Sequence, residues 1–97
     1  MMGIGYIYVS NVIYVYEMDM KGWHCSLSLD LRESTLEFIY EHYIGINFKD
    51  EIKGCLYDEI KKGLTGAIEK QNLEMMFESL YHCAEHELDL FLKKKKI

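Results

Sequence analysis

The residues best suited to chemistry lie near the end of the chain, in His82-Cys83-Ala84-Glu85-His86. Two imidazoles four residues apart share one face of a helix. That spacing lets a pair hold zinc while a glutamate between them serves as base. A catalytic zinc needs a third protein ligand, and only eleven residues follow His86. A structural zinc would have to recruit His24 or Cys25. The expected state is therefore two solvated histidines between Glu78, Glu85 and Asp89, with no metal and no cofactor. Cys83 falls about 100° round the helix from His82, toward the apolar side, and does not join them.

The other candidate chemistries are weaker. Cys25 has His24 beside it, but neighbours on a strand point to opposite faces, so they do not form a thiolate–imidazole pair. Asp50-Glu51 and Asp58-Glu59 are adjacent on a helix and diverge by about 100°, which does not make an acid/base pair. Gly3-Ile4-Gly5 precedes a strand and lacks the third glycine of a dinucleotide-binding turn. The expectation is a protein that is not an enzyme. With no C-x-x-C pair and an odd count, Cys25, Cys55 and Cys83 read as small buried hydrophobes in a reducing compartment.

These residues need elements to hold them. Trp23 to Leu31 alternates apolar and polar residues and reads as a strand, with Trp23, Cys25, Leu27, Leu29 and Leu31 on one side. Two earlier strands, Ile4 to Val9 and Val12 to Met18, pair with it through turns at Ser10-Asn11 and at Asp19-Met20-Lys21-Gly22. Ile7, Val9, Ile13 and Val15 are assigned to the buried face. Tyr6, Tyr8, Tyr14 and Tyr16 are then assigned together to the open one; both rows of these two strands are fairly apolar, so the inverted faces also fit.

Ser34-Thr35-Leu36-Glu37 matches a capping box, predicting a helix from Thr35 to Ile44 that stops at Gly45. Its stripe is Leu36, Ile39, Tyr40 and Tyr43. Asn47 is placed to cap a second helix with Phe48, Ile52, Cys55, Leu56 and Ile60 as its apolar face. The periodicity continues through Leu64, Ala67 and Ile68, so one helix to Lys70 and a break near Gly63 to Gly66 both fit. Asn72 is placed to cap a last helix, Leu73 to Leu92, with Leu73, Met76, Phe77, Leu80, Ala84, Leu88 and Phe91 inward. The expected fold is one α+β domain over residues 1–97. It is an N-terminal three-stranded antiparallel β-meander covered on one face by three to four C-terminal helices.

Charge narrows the partners. Four of the eleven basic residues are Lys93 to Lys96, so residues 1–92 carry seven basic against sixteen acidic residues, a charge of −9. Such a body repels phosphate backbones, which disfavours nucleic acid, and attracts basic proteins. No stretch is long and apolar enough to span a membrane, and the first residues lack the pattern of a signal peptide; the chain is expected in the cytoplasm. The lysine tail sits where a helix dipole is negative, and is expected to stabilise that end or fray.

Two surfaces are candidates for recognition. One is the tyrosine cluster Tyr6, Tyr8, Tyr14 and Tyr16, because tyrosine offers rigid area and a polar tip. The other is the stripe Glu74, Glu78, His82, Glu85 and Asp89. Together they point to a non-enzymatic acidic binding module. Its most concrete form is an inhibitor or immunity protein that occludes the active site of a basic, nuclease-type toxin. The alternatives are a phage-type antagonist that mimics nucleic acid by charge, a small metal-binding protein using His82 and His86, and burial of the tyrosines in a homodimer.

Overall fold

A computed structural model describes residues 2–42 and 47–95. Three strands, β1 (Gly3–Val9), β2 (Val12–Asp19) and β3 (Gly22–Asp30), precede three helices, α1 (Glu33–His42), α2 (Phe48–Gly63) and α3 (Lys70–Lys95). The sheet is antiparallel in the order β1-β2-β3. Ser10 and Asn11 both take positive φ, 52° and 63°, making a two-residue turn whose twist suits a hairpin. Gly22 sits at φ 108° after the second turn, where a side chain would be strained, and Asp19 Oδ1 accepts the Lys21 N–H at 2.8 Å.

The helices cover one face, on which Ile13, Val15 and Leu29 are buried. Phe48, Ile52, Leu56 and Ile60 of α2 meet them, as do Leu73, Phe77, Leu80, Ala84, Leu88 and Phe91 of α3. Each such side chain contributes roughly 1.5–3 kcal/mol when fully buried. Cys55 lies outside the α2 stripe and is exposed, as is Cys25, while Cys83 is half-buried. The cysteines are therefore not the core residues that the sequence suggested.

Two face assignments are corrected. In β1, Tyr6 pairs with Val15 and Tyr8 with Ile13, so both tyrosines face the helices. Ile7 and Val9 face outward and are 50% and 51% exposed. The cause is the turn length. Two loop residues make Val9 oppose Val12 and Ile7 oppose Tyr14, and opposed residues share a face. Tyrosine is tolerated inside because its tip finds partners at the edge. The Tyr6 hydroxyl bonds Ser79 Oγ of α3 at 2.8 Å, and the Tyr8 hydroxyl donates to Asn11 Oδ1 at 3.3 Å.

In β3 a bulge interrupts the period. Val15 pairs with Leu27 and Tyr16 with Cys25, leaving Ser26 as the extra residue. Leu27 and Leu29 stay on the helix side, whereas Trp23 and Cys25 move to the outer face. Trp23 reaches across the outer face, and a Cβ on Gly3 would stand 3.4 Å from its ring.

Ser26 turns inward for a reason. Glu17 is on the inward row of β2 and only 2% exposed. Its carboxylate accepts the Ser26 hydroxyl, the Thr65 N–H at 2.9 Å, the Thr65 hydroxyl at 3.0 Å and the Gly66 N–H at 2.9 Å. Residues 64–69, between α2 and α3, are thereby fastened to the sheet. Burial pushes the carboxyl up, but the hydrogen bonds from Ser26, Thr65 and Gly66 outweigh it and hold its pKa at about 2, below its ordinary 4.5.

The helix boundaries shift accordingly. α1 begins at Glu33, with Ser34 inside its first turn, so no capping box forms there. Asp30 instead braces the entry to the helix, accepting the Arg32 N–H at 2.9 Å and the Thr35 hydroxyl at 2.9 Å. Asn47 precedes α2, but its amide donates to Asp50 at 2.6 Å and its side chain makes no cap bond. The expected stop at Gly45 and the stripe residue Tyr43 lie outside the described residues. α2 ends at Gly63, resolving the choice in favour of a break. A Cβ there would stand 2.4 Å from Leu27 Cδ2, so the helix end reaches the sheet only as glycine. Asn72 falls inside the first turn of α3, which starts at Lys70.

Lys94 and Lys95, the last described residues of the lysine run, are held in place. Lys94 Nζ lies 3.4 Å from Glu33, Lys95 pairs with Glu37, and the Lys95 ammonium sits over the rings of Tyr40 and Phe91. They clamp α1 to the end of α3, where Tyr40, Phe48 and Phe91 form an aromatic cluster.

Two predictions follow from this packing. Gly63→Ala should lower stability by about 1–3 kcal/mol in urea unfolding through its clash with Leu27, whereas Gly54→Ala, with open space around it, should raise it by about 0.5–1 kcal/mol. For Glu17 the folded pKa is depressed, so its contribution is complete above about pH 4.5 and lost as pH falls toward 2. Over that window the wild type should lose on the order of 3 kcal/mol that Glu17→Gln, less stable at pH 7, does not lose. Parallel pH profiles of the two proteins would contradict this.

Candidate functional site

The candidate residues separate onto different surfaces. Tyr14 and Tyr16 stand on the outer face of the sheet, Tyr6 and Tyr8 lie beneath α3, and Glu74, Glu78, His82, Glu85 and Asp89 lie on the far side of the helical layer. The four tyrosines are thus not one cluster, and no tyrosine–carboxylate surface runs between the two sets. Burial raises the Tyr8 hydroxyl pKa, and the nearby Glu87 carboxylate raises it further, so Tyr8 stays protonated under α3.

The acidic stripe is partly neutralised by a residue that the sequence pattern did not single out. Lys49 of α2 reaches Asp89 at 2.8 Å and Glu85 at 3.4 Å. Its hydrogen bond to Asp89 raises the ammonium pKa, and Glu85 adds to it. Glu74 lies 3.9 Å from Lys70 one turn earlier, an exposed pair of little energetic weight. Glu78 is left facing a groove between α2 and α3.

That groove encloses about 580 Å³ and is bordered by Asp50, Lys53, Tyr57, Glu74, Met75 and Glu78. Gly54 leaves its α2 wall low. Met75 is 65% exposed at its rim. Three carboxylates around an apolar side chain suit a basic side chain with an aliphatic stem better than a phosphate. The spacing of Asp50 and Glu51 in the first turn of α2 was legible in the sequence. That Asp50 shares a groove with Glu74 and Glu78 depends on how α2 and α3 pack, which periodicity does not give.

His82 and His86 are both exposed one turn apart on α3. Among the described residues, no group of three or more His, Cys, Asp or Glu side chains is placed to hold a metal ion. His24 instead lies 3.5 Å from Asp19 at the rim of the second turn. No helix among the described residues is long and apolar enough to cross a membrane.

The outer sheet face carries Tyr14 and Tyr16 as expected, but its other occupants were not foreseen. Ile7, Val9, Tyr14, Tyr16, Met18 and Trp23 stand on it, and no element among the described residues covers them. Its signal in the sequence was the run Val12 to Met18, apolar or aromatic on both rows apart from Glu17. Comparison of the chain with protein-family models, curated proteins and solved structures returns no match.

Proposed function

We propose that the chain is a non-enzymatic protein-binding module. More specifically, it is an inhibitor or immunity protein that occludes a basic, nuclease-type toxin with its helical layer. The observation that carries this reading is the carboxylate-lined groove between α2 and α3, set well apart from the lysine tail. Lys94 and Lys95 are pinned to Glu33 and Glu37 at its C-terminal end. The groove carboxylates Glu74 and Glu78 lie roughly sixteen to twenty residues earlier, about 24–30 Å away along the helix. That exceeds the screening length of about 8 Å about threefold, so the tail does not cancel the groove, where Asp50, Glu74 and Glu78 outnumber the one lining cation, Lys53. Such an excess of negative charge steers a positively charged cleft toward it and speeds encounter.

The groove gives that encounter something to close on. Met75 and Tyr57 offer apolar area, and Asp50, Glu74 and Glu78 offer acceptors for lysine or arginine. The charge-mimic alternative fits less well, because Lys49, Lys53, Lys61, Lys62 and Lys70 interrupt the carboxylates on the same helices. We place the action in the cytoplasm, where the thiols of Cys25 and Cys83 stay reduced.

The test is affinity capture from source cells at low salt, with identification of the retained proteins. A basic protein should be retained by the wild type and released as salt rises. The double variant Glu74→Lys/Glu78→Lys should weaken its binding about tenfold or more. Retention that is equal in the variant, or indifferent to salt, contradicts the proposal.

A further inference from the structure

The outer face of the sheet is unused by the binding role. Among the described residues, the only charged side chain on its outward rows is Asp30, at one corner, and it is already bonded to Arg32 at 2.7 Å. Ile7 and Val9 are half-exposed there and Trp23 is 55% exposed. A groove of about 390 Å³ runs beside them, walled by Ile7, Tyr16 and Trp23, with Gly5 as its floor. The groove exists because Gly5 has no side chain and Trp23 lies across Gly3 and Gly5.

We propose that a second copy of this chain covers this face, sheet against sheet, giving a two-fold dimer of four layers: helices, sheet, sheet, helices. Charge selects the occupant. Each copy carries −5, so two copies repel through most of their surfaces. The outer sheet face is where they meet without opposing like charges. Stacked sheets lie about 10 Å apart and each helical layer about 10 Å further out, so the acidic helices end up about 30 Å apart, more than three screening lengths. A basic partner, by contrast, is drawn to the helical layer and gains no discrimination from an uncharged face.

Area and shape agree. Three strands of about eight residues make a plane of roughly 14 Å by 26 Å, and with side-chain relief two such faces bury on the order of 1,000 Å², where specific interfaces begin. A two-fold axis running across the strands brings Val9 of one copy over the groove beside Trp23 of the other. Both acidic grooves stay outermost, so the dimer presents two binding sites.

Sedimentation equilibrium tests this directly. At about 100 µM the wild type should have a mass of about 23 kDa, twice the 11.5 kDa of one chain. Trp23 emission should shift to the red as the protein is diluted and the ring becomes wet. Ile7→Lys should sediment as a monomer with an unchanged circular dichroism spectrum. If that variant fails to fold, Val9→Lys takes its place, since both side chains are half-exposed in the monomer. Raising salt should leave the dimer intact, the opposite of the expected toxin binding, so the two proposals fail separately. A monomeric wild type at that concentration overturns the inference, as does a folded lysine variant that remains dimeric.

Discussion

A carboxylate on the inward row of a central strand must be bonded or it drives the layers apart. Glu17 is bonded by Ser26 from the neighbouring strand and by Thr65 and Gly66 from the connection between the two long helices. Charge-assisted bonds of this kind are about twice as strong as neutral ones. Here they join two neighbouring strands to a connection 48 and 49 residues further along the chain. The bulge at Ser26, the end of α2 at Gly63 and the start of α3 at Lys70 all make sense around it. Were residues 64–69 helical, their N–H groups would be spent within the helix and could not reach Glu17.

The position of that latch decides which surfaces exist. With the connection tied to the sheet, α2 and α3 lie side by side over β3 and β1, and the groove between them faces away from the sheet. The sheet is left with a covered face and a bare one. Lys94 and Lys95 fold back onto α1 and pair with Glu33 and Glu37, while Asp50, Glu74 and Glu78 gather at the groove. The binding role is a reading of that groove, and the dimer is a reading of the bare face.

Much of this was legible from residue order. Alternation found all three strands, and the 3.6-residue stripe found the inward side of α2 and α3 almost residue for residue. The face of β1 was misassigned because Ile7 and Tyr6 are both plausible in a core. The two-residue turn at Ser10-Asn11 nevertheless fixes that face once Ile13 and Val15 are taken as buried. The bulge gave no local sign, since Trp23 to Leu31 keeps its alternation on paper. Its cause lay one strand away, in a glutamate two residues after Val15 on a buried row. Gly63 announced a possible break, but only its contact with Leu27 shows why glycine is needed. Lys49 could not be paired with Glu85 and Asp89 from sequence, because that contact depends on two helices sharing a surface.

Hydrogen exchange resolved at single amides examines the latch most directly. The account predicts that the Thr65 and Gly66 N–H groups, though outside any helix or strand, exchange as slowly as neighbouring helical amides at neutral pH. It also predicts that Glu17→Gln frees them while the ends of the sheet keep their protection. Exchange at the rate of an open loop in the wild type, or protection unchanged in the variant, would contradict it.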